Sequence, residues 1–446
     1  MTEKIVCSHD PSRSYALYLP SAYSPEKPSA ILYMLDARGR ALLPIERFRA
    51  AAEEFGWILA SSYNSHSDTS NDPNTPALQA MWRDTHARLA IDERRAYLSG
   101  FSGGARASVD IALNAPKAIA GVIGCGAGLP DDRAPVKTLP FPYFGTAGNR
   151  DFNYYEMREL EGKLTEAKVE HRIEFFDGGH DWPPPELARG AIAWMELAAM
   201  RSGARSRDDE RIAVLYARDL DRAQGLAAQA DETGAYLAYA HAAEDFRGLT
   251  DVAASAEKAA ALGSSASVRK ALRDAEKRDA RDRAAIRELA RKVHVALHSP
   301  EVPLPAAATT GLGIEALRKQ ASTGAAEDRL CAERILANLR VQASFYLPEQ
   351  FLAQKDYQRA RLALLIAAAI DPQDPLVYYN LACASARAGQ VGRTLADLQD
   401  AVARGFHRFA MIDDDADFAA VRSDPKFREW LASARARADA PISSPP

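Results

Sequence analysis

The sequence predicts an α/β chain in which a mostly parallel sheet, covered by helices on both faces, is followed by an all-α region of helical repeats. Three observations predict it. Residues 1–200 alternate short apolar runs with helical patterns, the grammar of strand–helix–strand units. Several of those runs are apolar throughout, as in strands buried on both faces. Beyond residue 200 no convincing strands remain. The chain there is rich in Ala, Arg, Glu and Leu, with Gly and Pro as punctuation between helical runs.

The strands are expected at Tyr15–Leu19, Ala30–Leu35, Trp57–Ser61, Ala96–Ser99, Gly121–Gly124, Tyr143–Gly145 and Arg172–Phe176, with a strand-like start at the N-terminus. Helical patterns lie between them at Leu42–Phe55, Ala77–Leu89, Ala105–Asn114, Tyr154–Ala167 and Pro185–Ala199. The charged stretch Arg201–Glu210 reads as a linker or an exposed helix end. The organisation is therefore a sheet domain at 1–200, a helical domain or linker helices at 201–340, and a repeat domain at 341–435. In the last, two helix pairs overlay with a 34-residue offset: Tyr357 on Val391, Ala360 on Thr394, Leu364 on Leu398 and Phe345 on Tyr379. Small residues at such positions let paired helices approach closely.

With 446 residues, 47% hydrophobic and 26% charged, the chain can bury a core in more than one domain. A net charge of -4 gives no reason to expect nucleic acid or an anionic membrane as partner. The four cysteines are scattered and form no CxxC pair, which argues against a structural zinc site or a disulfide framework. Cys125 and Cys383 read as core residues. The longest apolar run, Leu362–Ile370, falls far short of the ~20 residues of a membrane span. The N-terminus lacks the apolar segment of a secretion signal, and the compartment stays open between cytoplasm and export.

The strongest chemical signal is Gly100-Phe101-Ser102-Gly103-Gly104, a G-x-S-x-G match between an apolar strand and a helix. The spacing has a mechanical cause. A nucleophile on a sharp strand-to-helix turn needs flanking glycines, and the helix behind it favours developing negative charge. A phosphate loop would need a lysine that is missing here. Ser102 is thus the candidate nucleophile. Serine needs a base, and His180 lies in a glycine-rich loop after the strand Arg172–Phe176. Asp151, after Tyr143–Gly145, is the candidate acid; Asp131, Asp132 and Asp177 are its rivals, and capping a helix is its alternative role. The oxyanion donors would be the backbone N–H of Gly103 and one from Ala37 or Arg38. Phe101, Trp182 and His66 are the candidate substrate-binding residues, with Trp182 equally suited to packing. The polar loop Ser61–Pro76 reads as a specificity loop or a surface loop. The short stretch between Ser102 and Asp151 leaves little room for a large lid. No metal or cofactor is called for.

Together, the elbow Gly-Phe-Ser-Gly-Gly and the loop Gly178-Gly179-His180-Asp181-Trp182-Pro183 resemble the polyhydroxybutyrate depolymerase and feruloyl esterase-like branch of the α/β-hydrolases. That resemblance implies a carboxylic ester hydrolase working through an acyl-enzyme without cofactor, on small-molecule aryl (feruloyl-type) or hydroxyalkanoate esters. Family members usually carry His-Gly after the oxyanion strand, where this chain has Asp36-Ala37. The C-terminal segments Tyr379–Ala384, Gly405-Phe406, Asp415–Phe418 and Asp424–Phe427 resemble tetratricopeptide-repeat ends of bacterial proteins, which implies binding to a protein partner. Two other functions share these motifs: a serine peptidase with the same triad, and a non-catalytic repeat scaffold carrying a relic hydrolase.

Overall fold

The computed structural model describes residues 1–69, 71–130, 139–298, 309 and 311–439. The chain divides into two compact units, Met1–Ala280 and Arg281–Pro446.

The first unit is built on β1 (Thr2–Cys7), β2 (Asp10–Tyr18), β3 (Ser29–Leu35), β4 (Ile58–Ser62), β5 (Ile91–Phe101), β6 (Gly121–Cys125), β7 (Tyr143–Gly148) and β8 (His171–Phe176). They form one sheet in the order β1-β2-β4-β3-β5-β6-β7-β8. β2 runs antiparallel to β1 and β4, and every other pair is parallel. With the sharp turn at the end of β5, this is the α/β-hydrolase fold. Five helices cover the sheet: α1 (Leu42–Phe55), α2 (Asn74–Arg88), α3 (Gly103–Asn114), α4 (Tyr154–Glu166) and α5 (Pro185–Ser202).

The period-2 geometry of a strand divides its side chains between two cores. Leu32, Met34, Leu59 and Tyr97 join Phe48 of α1 and Ile192 and Met195 of α5 on one face. Ile31, Tyr33, Ala60 and Leu98 join Met81 of α2, Val109 of α3 and Leu160 of α4 on the other. Because both faces are covered, the central strands read as unbroken apolar runs. Three more helices follow in this unit, α6 (Asp209–Ala228), α7 (Glu232–Asp245) and α8 (Ala253–Ser264). Ile212 and Leu215 of α6 extend the α1–α5 core. The turn between α5 and α6 is tied down by Arg205, paired with the buried Glu196, and Asp208 caps α6 by accepting from the Arg211 N–H.

Helix α9 (Ala266–His298) carries the chain across the division between the units. The second unit is helical throughout its described residues: α10 (Ile314–Thr323), α11 (Ala326–Val341), a π-turn at Gln342–Tyr346, α12 (Leu347–Ala353), α13 (Tyr357–Ile370), α14 (Pro375–Arg387), α15 (Val391–Ala403), α16 (Phe409–Asp414) and α17 (Pro425–Asp439). Ala360 and Thr394, like Leu364 and Leu398, occupy matching buried positions on α13 and α15. Tyr357 and Val391, both half-buried, open those two helices, but the fourth pair differs: Tyr379 is buried on α14, whereas Phe345 is 40% exposed in the π-turn. Arg361 of α13 reaches α14 and α15, where it pairs with Asp397 and donates to the Leu381 carbonyl at 3.2 Å; the Ser385 hydroxyl donates to Asp397 at 2.8 Å. All four cysteines are buried. No described helix is long and apolar enough to cross a membrane.

Candidate active site

β5 delivers Ser102 to the carboxyl edge of the sheet, where parallel α/β folds gather their chemistry. Its backbone sits at φ 56°, ψ -124°, a conformation that a residue with a side chain occupies only where its surroundings impose it. Those surroundings are visible. The Ser102 N–H donates to the Cys125 carbonyl of β6 at 2.8 Å, and α3 starts at the next residue. A Cβ on Gly100 would lie 2.0 Å from the Gly104 carbonyl oxygen, and one on Gly104 would lie 2.1 Å from the Leu35 carbonyl oxygen. The flanking glycines are therefore required by close backbone approach, and the turn is wedged against the end of β3.

His180 and Asp151 meet beside this turn. His180 Nδ1 lies 2.9 Å from each Asp151 carboxylate oxygen. Asp151 is buried, and its Oδ1 also accepts from the Asn153 N–H at 2.8 Å. The loops bearing Asp151 and His180 are laced together: the Asn149 N–H donates to the Phe176 carbonyl at 2.8 Å, and the Arg150 N–H to the Gly178 carbonyl at 2.9 Å. Gly148 lets them touch, since a Cβ there would come 2.2 Å from the Gly179 carbonyl oxygen. The imidazole lies between Phe101 and Phe152, with ring centroids 4.6 and 4.1 Å away. It rests on Gly126, where a Cβ would be 3.2 Å from its Cε1. Phe101 precedes Ser102, and Gly126 follows the carbonyl that holds the Ser102 N–H. These contacts bring His180 to the elbow. An Nδ1–H donated to Asp151 leaves Nε2 as the proton acceptor of a neutral imidazole.

The loop after β3 completes the site. β3 and β5 are in register at Leu35 and Gly100, so the chain leaves β3 alongside the elbow. Asp36 is fully buried there. Its carboxylate accepts from the Arg38 N–H (2.9 Å), the Arg40 N–H (3.1 Å), the Arg40 guanidinium (3.0 and 2.9 Å) and the Trp182 indole N–H (2.8 Å). Burial pushes the Asp36 carboxyl up, but these donors outweigh it and hold the group below the usual carboxylate range. The Arg38 N–H is thus occupied, whereas the N–H groups of Ala37 and Gly103 have no acceptor among the described residues. Of the two oxyanion candidates in the loop, Ala37 has the available donor.

The other sequence candidates are placed as follows. Phe101 is 5% exposed and packs on His180. Trp182 is 1% exposed, edge-on to Phe48 and beside Phe101, so its visible role is to pack and to hold Asp36. His66 is exposed in the polar loop, where Asn74 brackets its backbone: Asn74 Oδ1 accepts from the His66 N–H and Asn74 Nδ2 donates to the His66 carbonyl. That loop is tied to the oxyanion loop, with the Ser67 N–H donating to the Ala37 carbonyl at 3.0 Å and the Ser65 hydroxyl to the Asp36 carbonyl at 2.8 Å. Asp177 is exposed and pairs with Arg150 at 2.5 Å, away from the imidazole nitrogen that Asp151 occupies. Asp131 and Asp132 lie outside the described residues. Sequence reasoning missed Asp36, Phe152 and Ser67. Ser67 faces Gly103, since a Cβ on that glycine would fall 2.2 Å from Ser67 Cβ.

No family model matches the chain, and no curated protein matches it. Solved structures do. An S-formylglutathione hydrolase from Staphylococcus aureus shares 15% identity over 41% of this chain and 90% of its own, with a TM-score of 0.35. A ferulic acid esterase shares 16% over 43% and 93%, with a TM-score of 0.34. A thermophilic esterase from the Planctomycetes species Thermogutta terrifontis, with butyrate bound, shares 17% over 46% and 96%, with a TM-score of 0.33.

Proposed function

We propose that the first unit hydrolyses carboxylic esters through Ser102, His180 and Asp151. The observation that carries this reading is the combination of a serine held at φ 56° with a histidine–carboxylate pair packed on Phe101, the residue before it, and on Gly126 beside the turn. His180 Nε2 takes the Ser102 hydroxyl proton as Oγ attacks the ester carbonyl. Asp151 holds the imidazole and stabilises the imidazolium. The N–H groups of Gly103 and Ala37 receive the oxyanion at the positive end of α3. Collapse of the tetrahedral intermediate expels the alcohol with the proton from His180. Water, deprotonated by the same imidazole, then hydrolyses the acyl-serine. The elbow and histidine-loop resemblance favours aryl or hydroxyalkanoate esters as substrates. A relic scaffold has no need of a strained serine beside a free pair of N–H donors. In the second unit, the 34-residue spacing of α13 and α15 supports a tetratricopeptide-like array that binds a protein partner.

The test is labelling with a fluorophosphonate probe, alongside Ser102→Ala, followed by a panel of p-nitrophenyl, feruloyl and peptide-amide substrates. Labelling confined to Ser102 and turnover of esters over amides is the expected result. Turnover of amides at comparable rates would make the enzyme a peptidase. A folded protein that takes no label would overturn the proposal.

A further inference from the structure

Asp36 stands where the resembling enzymes carry histidine, directly before the Ala37 N–H, and its carboxylate bonds both within its own loop and to Trp182 of the loop bearing His180. Its Oδ1 takes the N–H groups of Arg38 and Arg40 and the Arg40 Nε–H, and its Oδ2 takes Arg40 Nη2 and the Trp182 indole. Trp182 lies two residues after His180. The Asp36 carbonyl oxygen is also used, accepting from the Gly39 N–H at 3.2 Å and the Ser65 hydroxyl at 2.8 Å.

These bonds have a directional consequence. By drawing the Arg38 and Arg40 N–H groups inward onto one carboxylate, Asp36 folds the loop so that, of the N–H groups from Ala37 to Arg40, Ala37 alone is left without a partner among the described residues. A buried charge is retained only where donors surround it, and this one accepts from five, none of them the Ala37 N–H. We infer that Asp36 is a positioning residue for the oxyanion site: it fixes the Ala37 N–H relative to Ser102 and, through Trp182, couples that donor to the loop bearing His180. This inference rests on the serine-hydrolase proposal above. It concerns the transition state, because a donor aimed at the oxyanion strengthens its bond as charge develops and contributes little to ground-state binding.

The test uses the full-length protein with Asp36→Asn and Trp182→Phe. Asparagine keeps the volume but offers one acceptor oxygen, and its amide opposes a guanidinium or an indole N–H. Phenylalanine keeps an aromatic ring against Phe48 and Phe101 and removes only the indole donor. With a p-nitrophenyl ester, kcat should fall at least about 10-fold in Asp36→Asn and by about 3-fold in Trp182→Phe, with KM within about 2-fold of wild type. Affinity for phenylboronic acid, whose serine adduct places an oxygen in the oxyanion site, should weaken by the same factor as kcat. The pH midpoint of the kcat profile, set by the base, should not move. Wild-type kcat and boronate affinity per fluorophosphonate-titrated site in a folded variant would overturn the inference, even if the melting temperature fell. Loss appearing in KM alone would overturn it too. Should Asp36→Asn fail to fold, Trp182→Phe decides by the same criteria. A wild-type protein that neither takes the probe nor turns over esters would instead sink the hydrolase proposal itself.

Discussion

The two units use buried polar groups for different purposes. At the carboxyl edge of the sheet, Asp151 holds an imidazole, Asp36 holds two backbone donors, and a strained serine stands between two loops. In the helical unit, Arg361, Asp397 and Ser385 satisfy one another between α13, α14 and α15. One arrangement leaves selected groups unsatisfied around a reacting position; the other closes on itself. A buried network therefore says little about function until its unspent donors are identified.

Mutation can break or sharpen that contrast. The largest effect should come from Ser102→Ala, which should cost about 10⁴-fold or more in ester kcat and leave the melting temperature within a few degrees, measured by steady-state kinetics and thermal unfolding. Asp151→Asn should lower kcat by about 10³-fold with little change in KM, because the imidazole loses the partner that sets its tautomer. Arg361→Ala should do the reverse. It leaves the Asp397 carboxylate buried without its cation and should destabilise the helical unit by about 3 kcal/mol in denaturant unfolding, with kcat per titrated site unchanged. A fall in kcat there would erase the contrast.

The smallest effects concern acid. Asp84 is buried and accepts from Tyr15, Ser8 and Arg88, and burial, which alone would raise its carboxyl, is outweighed so that it lies well below the ordinary range. Asp36 behaves alike. A carboxyl depressed in the folded state stabilises it fully above its unfolded value, near 4, and loses that contribution as pH falls towards the folded value. In the helical unit the sign is opposite at Asp417, which burial and the neighbouring Asp415 push up against the pull of Arg387. Ionised Asp417 costs stability at neutral pH. Asp417→Asn should therefore raise the melting temperature slightly at pH 7, an advantage that disappears at pH 3, whereas Asp84→Asn should lower it at pH 7 and flatten the acid decline.

Much of the sheet unit was legible because its strands are buried on both faces and so stand out as apolar runs; Leu42–Phe55 was read to the residue. The charged half of β5, Ile91–Arg95, was not, since it projects where side chains are half-exposed and carries no apolar pattern. That Asp151 and His180 would meet was legible because short loops at the ends of consecutive strands leave few candidates. Asp36 was not. An aspartate after an apolar strand looks like an ordinary turn residue, and its decisive partner, Trp182, is 146 residues away. For the same reason the sequence left Trp182 open between pocket wall and packing, and it is buried. The exposed Phe345 was overlaid on a buried tyrosine because sequence offset carries no sign of a π-turn.

The backbone lacing of Asn149 and Arg150 to Phe176 and Gly178 has a consequence for how the site would come apart. Neither loop can lift without breaking backbone hydrogen bonds to the other, and the Gly148–Gly179 contact leaves no slack for sliding. The two loops thus form a single cooperative opening unit, and hydrogen exchange at the Asn149 and Arg150 amides should report one shared opening rate. Partial unfolding at this edge would displace His180 and Asp151 together, so that the imidazole and its carboxylate partner are lost in one step and not one at a time.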